Sequence, residues 1–366
     1  MNENIKEIIS AFPFKGDLVN LTHISEGLIN TTLKAEFTAE TYIIQKINTN
    51  VFRNPDELMA NISSVTEYLA EKMRLNGEDP SRQTLSFLKT KDGKLYFTDS
   101  DGACWRSYVY IDDCYTLGTE CAPEEIYEAA KGFGTFQYYL KDFDGSTLYE
   151  TIKDFHYTPG RYENLVKAVE ADKVGRAAGV KEEIDFLLSL KDEVSIVSDM
   201  LKSGKLPVRV THNDTKINNV LFDSDTKKAI CVIDLDTIMP GSSLYDFGDG
   251  IRTSSATTEE DNPDTSKMGI DENVYAVYVK GFLDGTAGSL TDKEIELLPF
   301  SVKLLTAEVA MRFLTDYLEG DVYFKVKSPM HNLNRTRAQI KLVKDVEAKM
   351  DKLKEITARA AGSENA

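Results

Sequence analysis

The segment Thr211-His212-Asn213-Asp214-Thr215-Lys216-Ile217-Asn218-Asn219 sets an aspartate and an asparagine five positions apart. On a tight loop these two side chains can share the work of phosphoryl transfer. The Asp214 carboxylate would accept or orient the proton of an attacking hydroxyl, and the Asn219 carbonyl would bind the Mg²⁺ that bridges nucleotide phosphates. Leu221-Phe222 then opens a hairpin that turns at Asp223-Ser224-Asp225-Thr226. Its returning strand, Ala229-Ile230-Cys231-Val232-Ile233, ends at Asp234, twenty residues after Asp214. A carboxylate there is where a second metal ligand is needed, because Mg²⁺ takes few protein carboxylates and completes its octahedron with phosphate oxygens and water. Asp and Asn also favour turns, so the Asp–Asn spacing by itself divides between a catalytic loop and a capped one. The hairpin and Asp234 in register favour catalysis.

Two kinds of element must position these residues. The first third of the chain reads as strands around one helix. Leu18–Ile24, Thr31–Phe37 and Tyr42–Ile47 are rich in β-branched and aromatic residues, as are Thr84–Leu88, Leu95–Thr98 and Cys104–Ile111. Asn54-Pro55 starts a helix, carried by Leu58, Ile62, Val65, Leu69 and Met73 and ended near Gly77. Beyond residue 112 the pattern is helical over 123–140, 163–178, 181–201, 273–283, 291–318 and 336–360, interrupted by a β-rich stretch from Val208 to Ile238. The expected class is α+β with two lobes. A nucleotide-binding lobe, residues 1–112, holds a small antiparallel sheet and one helix. A larger, mainly helical lobe, residues 113–366, carries the catalytic hairpin. A cleft between two such lobes is the expected place for a ligand.

Composition narrows the function. The 366 residues carry a net charge of −17 without a Lys/Arg cluster, which disfavours nucleic acid and anionic membranes as partners. No run approaches the roughly 18 apolar residues that span a bilayer. Met1 to Ala11 is mixed and acidic, unlike a secretory signal, so a cytoplasmic protein, a monomer or weak dimer, is expected. The four cysteines, Cys104, Cys114, Cys121 and Cys231, lack paired metal-ligand spacing.

With the catalytic loop and the strand ending Ile233-Asp234, the chain resembles the aminoglycoside phosphotransferase and choline kinase superfamily, whose fold is protein-kinase-like. Four segments resemble, more narrowly, the bacterial N-acetylhexosamine 1-kinases: Gly27-Leu28-Ile29-Asn30-Thr31-Thr32, Thr211 to Lys216, Ile233 to Gly241, and Met311-Arg312-Phe313-Leu314 to Tyr317-Leu318-Glu319-Gly320-Asp321. The resemblance runs across both lobes. It implies ATP and an N-acetylhexosamine as substrates, Mg²⁺ as cofactor, Asp214 as base, Asn219 and Asp234 as metal ligands and Arg312 as a sugar ligand. It also matches Asp246 to a downstream acidic motif, where a buried carboxylate can brace the catalytic loop.

The resemblance makes the turn at Gly27, Asn30 and Thr31 the phosphate-covering one, since small and hydroxylated residues let backbone amides approach phosphate oxygens. The third strand should then carry a lysine for the α- and β-phosphates. By register Gln45 takes that position and Lys46 follows it. Successive strand residues face opposite ways, so only one of them can serve, and Glu57 or Glu67 on the next helix is a possible partner for a lysine. Tyr110 and Ile111 end the last strand of the small lobe, where backbone groups would meet the purine edge.

On the acceptor side Arg312 interrupts an apolar helical run. A buried arginine needs a carboxylate or an acceptor-rich ligand, so it serves either a sugar or an internal ion pair with Asp316 or Glu319. Tyr317 is the aromatic candidate beside it. Lys216 either touches the transferred phosphate or is a solvated loop lysine. Asp172 and Arg176 are expected to pair on one helix. Arg312 argues against a cationic acceptor such as choline or an aminoglycoside, the nearest rival substrates. A pseudokinase would be expected to lack one of Asp214, Asn219 and Asp234, and all three are present.

Overall fold

The computed structural model describes residues 3–24, 29–118 and 121–362. It divides into two compact units, neither of them a single run of chain. One comprises Met1–Thr116, Asp142–Lys153 and Val220–Pro240, and the other Leu117–Lys141, Asp154–Asn219 and Gly241–Ala366.

The first unit is built on five antiparallel strands: β1 (Leu18–Ile24), β2 (Thr31–Phe37), β3 (Thr41–Lys46), β4 (Phe97–Thr98) and β5 (Cys104–Val109). Their order is β1-β2-β3-β5-β4. Cross-strand partners share a face, and the register Thr32↔Gln45↔Arg106 lines up three polar side chains on one of them. The other face packs Ala35, Tyr42, Ile44 and Trp105 on Ile8 and Phe12. Those two belong to a helix, Glu3–Ala11, and the loop just after it. That helix was not anticipated, although apolar residues 5, 8, 9 and 12 carry its period. The expected helix is Pro55–Leu75; Asn54 caps it by accepting from the Glu57 N–H at 3.4 Å, and Pro55 occupies the first turn. The hairpin strands Val220–Asp223 and Ala229–Val232 also belong to this unit, joined by Cys114–Thr116 in a second antiparallel sheet. The strand expected over Thr84–Leu88 reduces to a Phe87↔Tyr108 bridge, flanked by Leu88 N–H to Ser107 O (2.8 Å) and Val109 N–H to Ser86 O (3.0 Å). Too few residues run beside β5 to extend the ladder.

The second unit is helical. Pro123–Tyr139 and Glu272–Thr286 lie so close that a Cβ at Gly134 would stand 2.3 Å from Phe282 O, and one at Gly281 2.3 Å from Tyr127 O. The 28-residue helix Asp292–Glu319 runs through the core, buried on nearly every side. Leaving Glu294, Glu308 and Asp316 inside is tolerable only because each is bonded. Three expected helices break. Residues 163–178 give way to Thr158–Ala171, because Asp172 turns left-handed at φ 33°. Residues 181–201 split into Lys181–Ser189 and Ile196–Lys202, and 336–360 into His331–Ala348 and Met350–Ala360. No helix among the described residues is long and apolar enough to cross a membrane.

Candidate active site

In the second unit, the short strand Arg209–Thr211 feeds the catalytic loop, and Asn213 takes a left-handed φ of 67°. Such a backbone is uncommon outside glycine and persists where its surroundings hold it. The holding groups come largely from one helix, Ser243–Ser254. Buried Asp246 accepts from Asn213 N–H with Oδ1 (2.8 Å), and with Oδ2 from His212 N–H (3.0 Å) and Gln137 Nε2 (2.6 Å). One turn later Asp249 accepts from Thr215 N–H (3.1 Å) and pairs with Arg252 (2.9 Å). The backbone on both sides of Asp214 is thereby fixed by two carboxylates a helical turn apart. This is the bracing expected of Asp246; Asp249 went unnoticed, although its three-residue spacing from Asp246 signals a shared helix face.

Electrostatics follow from that burial. Enclosure pushes the Asp246 carboxyl up, opposed by His212 and the two donated backbone N–H bonds. For Asp249 burial is outweighed, by Arg252 first and then His156 and Lys216, and its pKa falls below the ordinary range.

His156 adds a third brace. Its Nδ1 lies 2.8 Å from Glu308 Oε1, and its Nε2 lies 3.2 Å from Asn213 O. Both partners only accept, so both ring nitrogens donate and the ring is an imidazolium. Burial disfavours that charge, but the Glu308 carboxylate prevails and the pKa is raised.

Asp214 itself is half-buried. Asn219 Nδ2 donates to its backbone O at 2.8 Å, and Lys216 Nζ lies 2.8 Å from its Oδ1. Lys216 is held charged: burial works against it, while Asp214 and then Asp249 raise its pKa. With its amide nitrogen spent on the loop, Asn219 keeps its side-chain oxygen for a ligand. Asp234 is exposed and also left-handed, at φ 59°. Among the described residues no three His, Cys, Asp or Glu side chains gather round a common point. A Mg²⁺ brought by its nucleotide needs one or two protein ligands rather than a protein cage, and Asn219 and Asp234 are each of a chemistry that can supply one.

On the same long helix, Arg312 is half-buried between the rings of Phe155 (6.0 Å) and Phe324 (5.5 Å). The ion pair that Asp316 offered in sequence does not form. Asp316 is consumed by the N–H groups of Val322 (2.8 Å), Tyr323 (2.7 Å) and Phe324 (3.0 Å) and by Asn332 (2.8 Å). Arg161 is a neighbouring cation that sequence reasoning missed. Its Nη2 donates to Phe155 O (2.8 Å), its Nε is enclosed without an acceptor, and burial and then Arg312 lower its pKa. Tyr317, expected beside the acceptor, is packed in the core under Arg176 (4.5 Å). Five residues on a helix turn the side chain about 140° away from Arg312. Arg176 pairs with Asp321 (2.6 Å) rather than with Asp172, whose carboxylate takes the Ala177 N–H (2.9 Å) where the helix has ended.

The nucleotide candidates belong to the first unit. Gly27 lies outside the described residues. Asn30 Nδ2 donates to Asp236 Oδ2 at 2.5 Å, and Thr31 is exposed at the start of β2. Gln45 donates to Thr32 Oγ1 (3.1 Å) and accepts from Arg106 Nε (3.0 Å). Lys46 points to the opposite face, 6.0 Å from the Trp105 ring. Neither helix acid answers a sheet lysine, since Glu67 pairs with Lys89 at the surface. The Tyr110 N–H is spent on Thr41 O (3.0 Å) and so is not open to a purine edge.

Residues 113–279 match the phosphotransferase enzyme family. Among solved structures, the aminoglycoside phosphotransferase of Alicyclobacillus acidocaldarius is similar at TM-score 0.62 and 11% identity, over 97% of this chain and 96% of that one. A microcompartment-associated aminopropanol kinase is similar at 0.58 and 15%, over 95% and 97%. The spectinomycin phosphotransferase APH(9)-Ia, solved with ADP and spectinomycin, is similar at 0.53 and 15%, over 97% of each chain. The stretch that matches this family, residues 113–279, includes Asp214, Asn219, Asp234 and Asp246, and it is set in a chain whose fold is kinase-like over nearly its full length.

Proposed function

We propose that this protein is an ATP-dependent kinase that phosphorylates N-acetylhexosamines at the anomeric hydroxyl, giving the α-1-phosphate and ADP. Asp214 takes the hydroxyl proton as the sugar oxygen bonds to the γ-phosphorus; the bond from that phosphorus to the β–γ bridging oxygen breaks and ADP leaves. Asn219 and Asp234 would hold the Mg²⁺, whose contribution is to neutralise charge on the phosphates. Lys216, already at Asp214, is the loop cation available to the transferred group.

The observation that carries the choice of acceptor is Arg312. It is half-buried and faces two aromatic rings, and among the described residues no carboxylate makes an ion pair with it: Asp316 is bonded to the 322–324 backbone, and Glu308, although the Arg312 charge helps lower its pKa, is bonded to His156 and Thr158. With Arg161 beside it, the region offers two guanidinium groups as donors to hydroxyls and an N-acetyl carbonyl, chemistry that suits a sugar better than a cationic acceptor such as choline. The specific sugar and the 1-position rest on the resemblance of four segments to the N-acetylhexosamine 1-kinases.

The test is ADP release from Mg-ATP with N-acetylglucosamine, N-acetylgalactosamine, choline and an aminoglycoside, followed by ³¹P–¹H coupling in the product. Turnover with both N-acetylhexosamines and coupling to the anomeric proton are expected. Coupling to H6, or turnover confined to the cationic acceptors, contradicts the proposal.

A further inference from the structure

A phosphate-facing sheet needs a cation, and β3 offers Gln45 on the relevant face and Lys46 on the other. Two cations share Gln45's face: Lys34 of β2, which is taken up by Glu36 (3.2 Å) and the Tyr110 ring (4.4 Å), and Arg106 of β5, paired with Gln45 across the strands. The Arg106 side chain is 3% exposed, and a charge so enclosed is costly unless every part of it is used. Nε donates to Gln45 Oε1 (3.0 Å), while Nη1 donates to Asp236 Oδ1 and approaches Met59 Sδ (3.9 Å). Among the described residues, Nη2 and its two N–H groups meet no acceptor, and that nitrogen is not one of the fully enclosed unpaired atoms. Asp236 also accepts from Asn30 (2.5 Å), and Asn30 Oδ1 accepts the Asn48 N–H (3.0 Å). One buried carboxylate therefore ties the turn entering β2 to Arg106, and it stands two residues from Asp234.

We infer that Arg106 is the nucleotide-phosphate cation of this chain: the task of a β3 lysine has passed to β5, Gln45 and Asp236 orient the guanidinium, and Nη2 donates to phosphate oxygens. The fork of an arginine suits a polyphosphate better than a lysine does. A brace alone would have no use for a free donor edge, and Gln45, unlike a lysine, sets no second cation against the guanidinium. The inference rests on the kinase reading above.

The test is binding of adenosine, ADP and ATP to wild type and to two variants by calorimetry. Arg106→Met/Asp236→Asn removes both charges, so that no buried ion is stranded and the fold is kept. Arg106→Lys keeps the charge and shortens the fork. In wild type, affinity should rise from adenosine to ADP and ATP. In the double variant ADP and ATP should weaken roughly 10- to 100-fold, the equivalent of a charge-assisted hydrogen bond, while adenosine affinity stays the same. Arg106→Lys should recover part of that loss. A double variant in which adenosine and ATP weaken by one factor, or in which neither weakens, overturns the inference alone. A wild type that binds no nucleotide overturns the kinase reading as well.

Discussion

The catalytic loop and the arginines beside the long helix lie in one unit and are held in opposite ways. Around Asp214 the backbone N–H groups of His212, Asn213 and Thr215 all end on buried carboxylates. Around Arg312 and Arg161 the carboxylates are spent on other partners: Glu308 on His156 and Thr158, Asp316 on the 322–324 backbone. The loop has its polar needs met from within the fold, which fixes where Asp214 stands before any ligand arrives. The arginines keep donor capacity that the protein does not fill: Arg161 Nε is enclosed without an acceptor and Arg312 makes no ion pair among the described residues. The difference is between a loop whose polar groups are met from within the fold and a pair of arginines whose donors are not.

That contrast is sharpened most by Asp214→Asn. Turnover should fall roughly 10²- to 10⁴-fold, with nucleotide affinity and melting temperature unchanged, since the brace acts on the backbone rather than on this side chain; kcat near wild type removes Asp214 from the chemistry. Asp246→Ala strikes the brace itself. It strands two buried N–H groups and takes one of the two acceptors of the Gln137 amide, which keeps Val210 O (3.0 Å), at a cost of roughly 2–5 kcal/mol. Denaturant unfolding reads that cost directly, and a loss under 1 kcal/mol would mean that the loop holds itself. Smaller again is the His156 effect. Its folded pKa is raised above the ordinary value of about 6.5, so the stability it adds is complete below that value and is lost as pH rises through the folded pKa. The melting-temperature gap between wild type and His156→Gln should close with rising pH by roughly 2–4 °C, the scale of about 1 kcal/mol in a domain of 150–250 residues. A gap that widens with pH contradicts the imidazolium assignment.

The loop and hairpin around Asp214 were legible because their signal is local: Asp214, Asn219 and the hairpin to Asp234 fall within 21 residues. The sheet and the Pro55–Leu75 helix were legible from period and capping. Arg106 was not, since its meaning comes from pairing with Gln45, 61 residues away, and with Asp236, 130 residues away. Arg161 was hidden for the same reason, its significance being the nearness of Arg312. Tyr317 was misplaced because a motif's order along a helix does not say which way each side chain turns. The 163–178 and 181–201 helices were drawn too long because apolar residues continue past their ends, while Asp172 and the Leu190–Ser195 connection stop them through backbone geometry.

Arg312→Ala tests most directly whether the unpaired arginine side is the acceptor site. With Mg-ATP and N-acetylglucosamine both varied, the sugar KM should rise roughly 10- to 100-fold, the worth of a charged hydrogen bond, while the KM for ATP changes less than about threefold. A sugar KM equal to that of wild type, or an ATP KM that rises as far as the sugar's, would contradict the assignment of Arg312 to the acceptor.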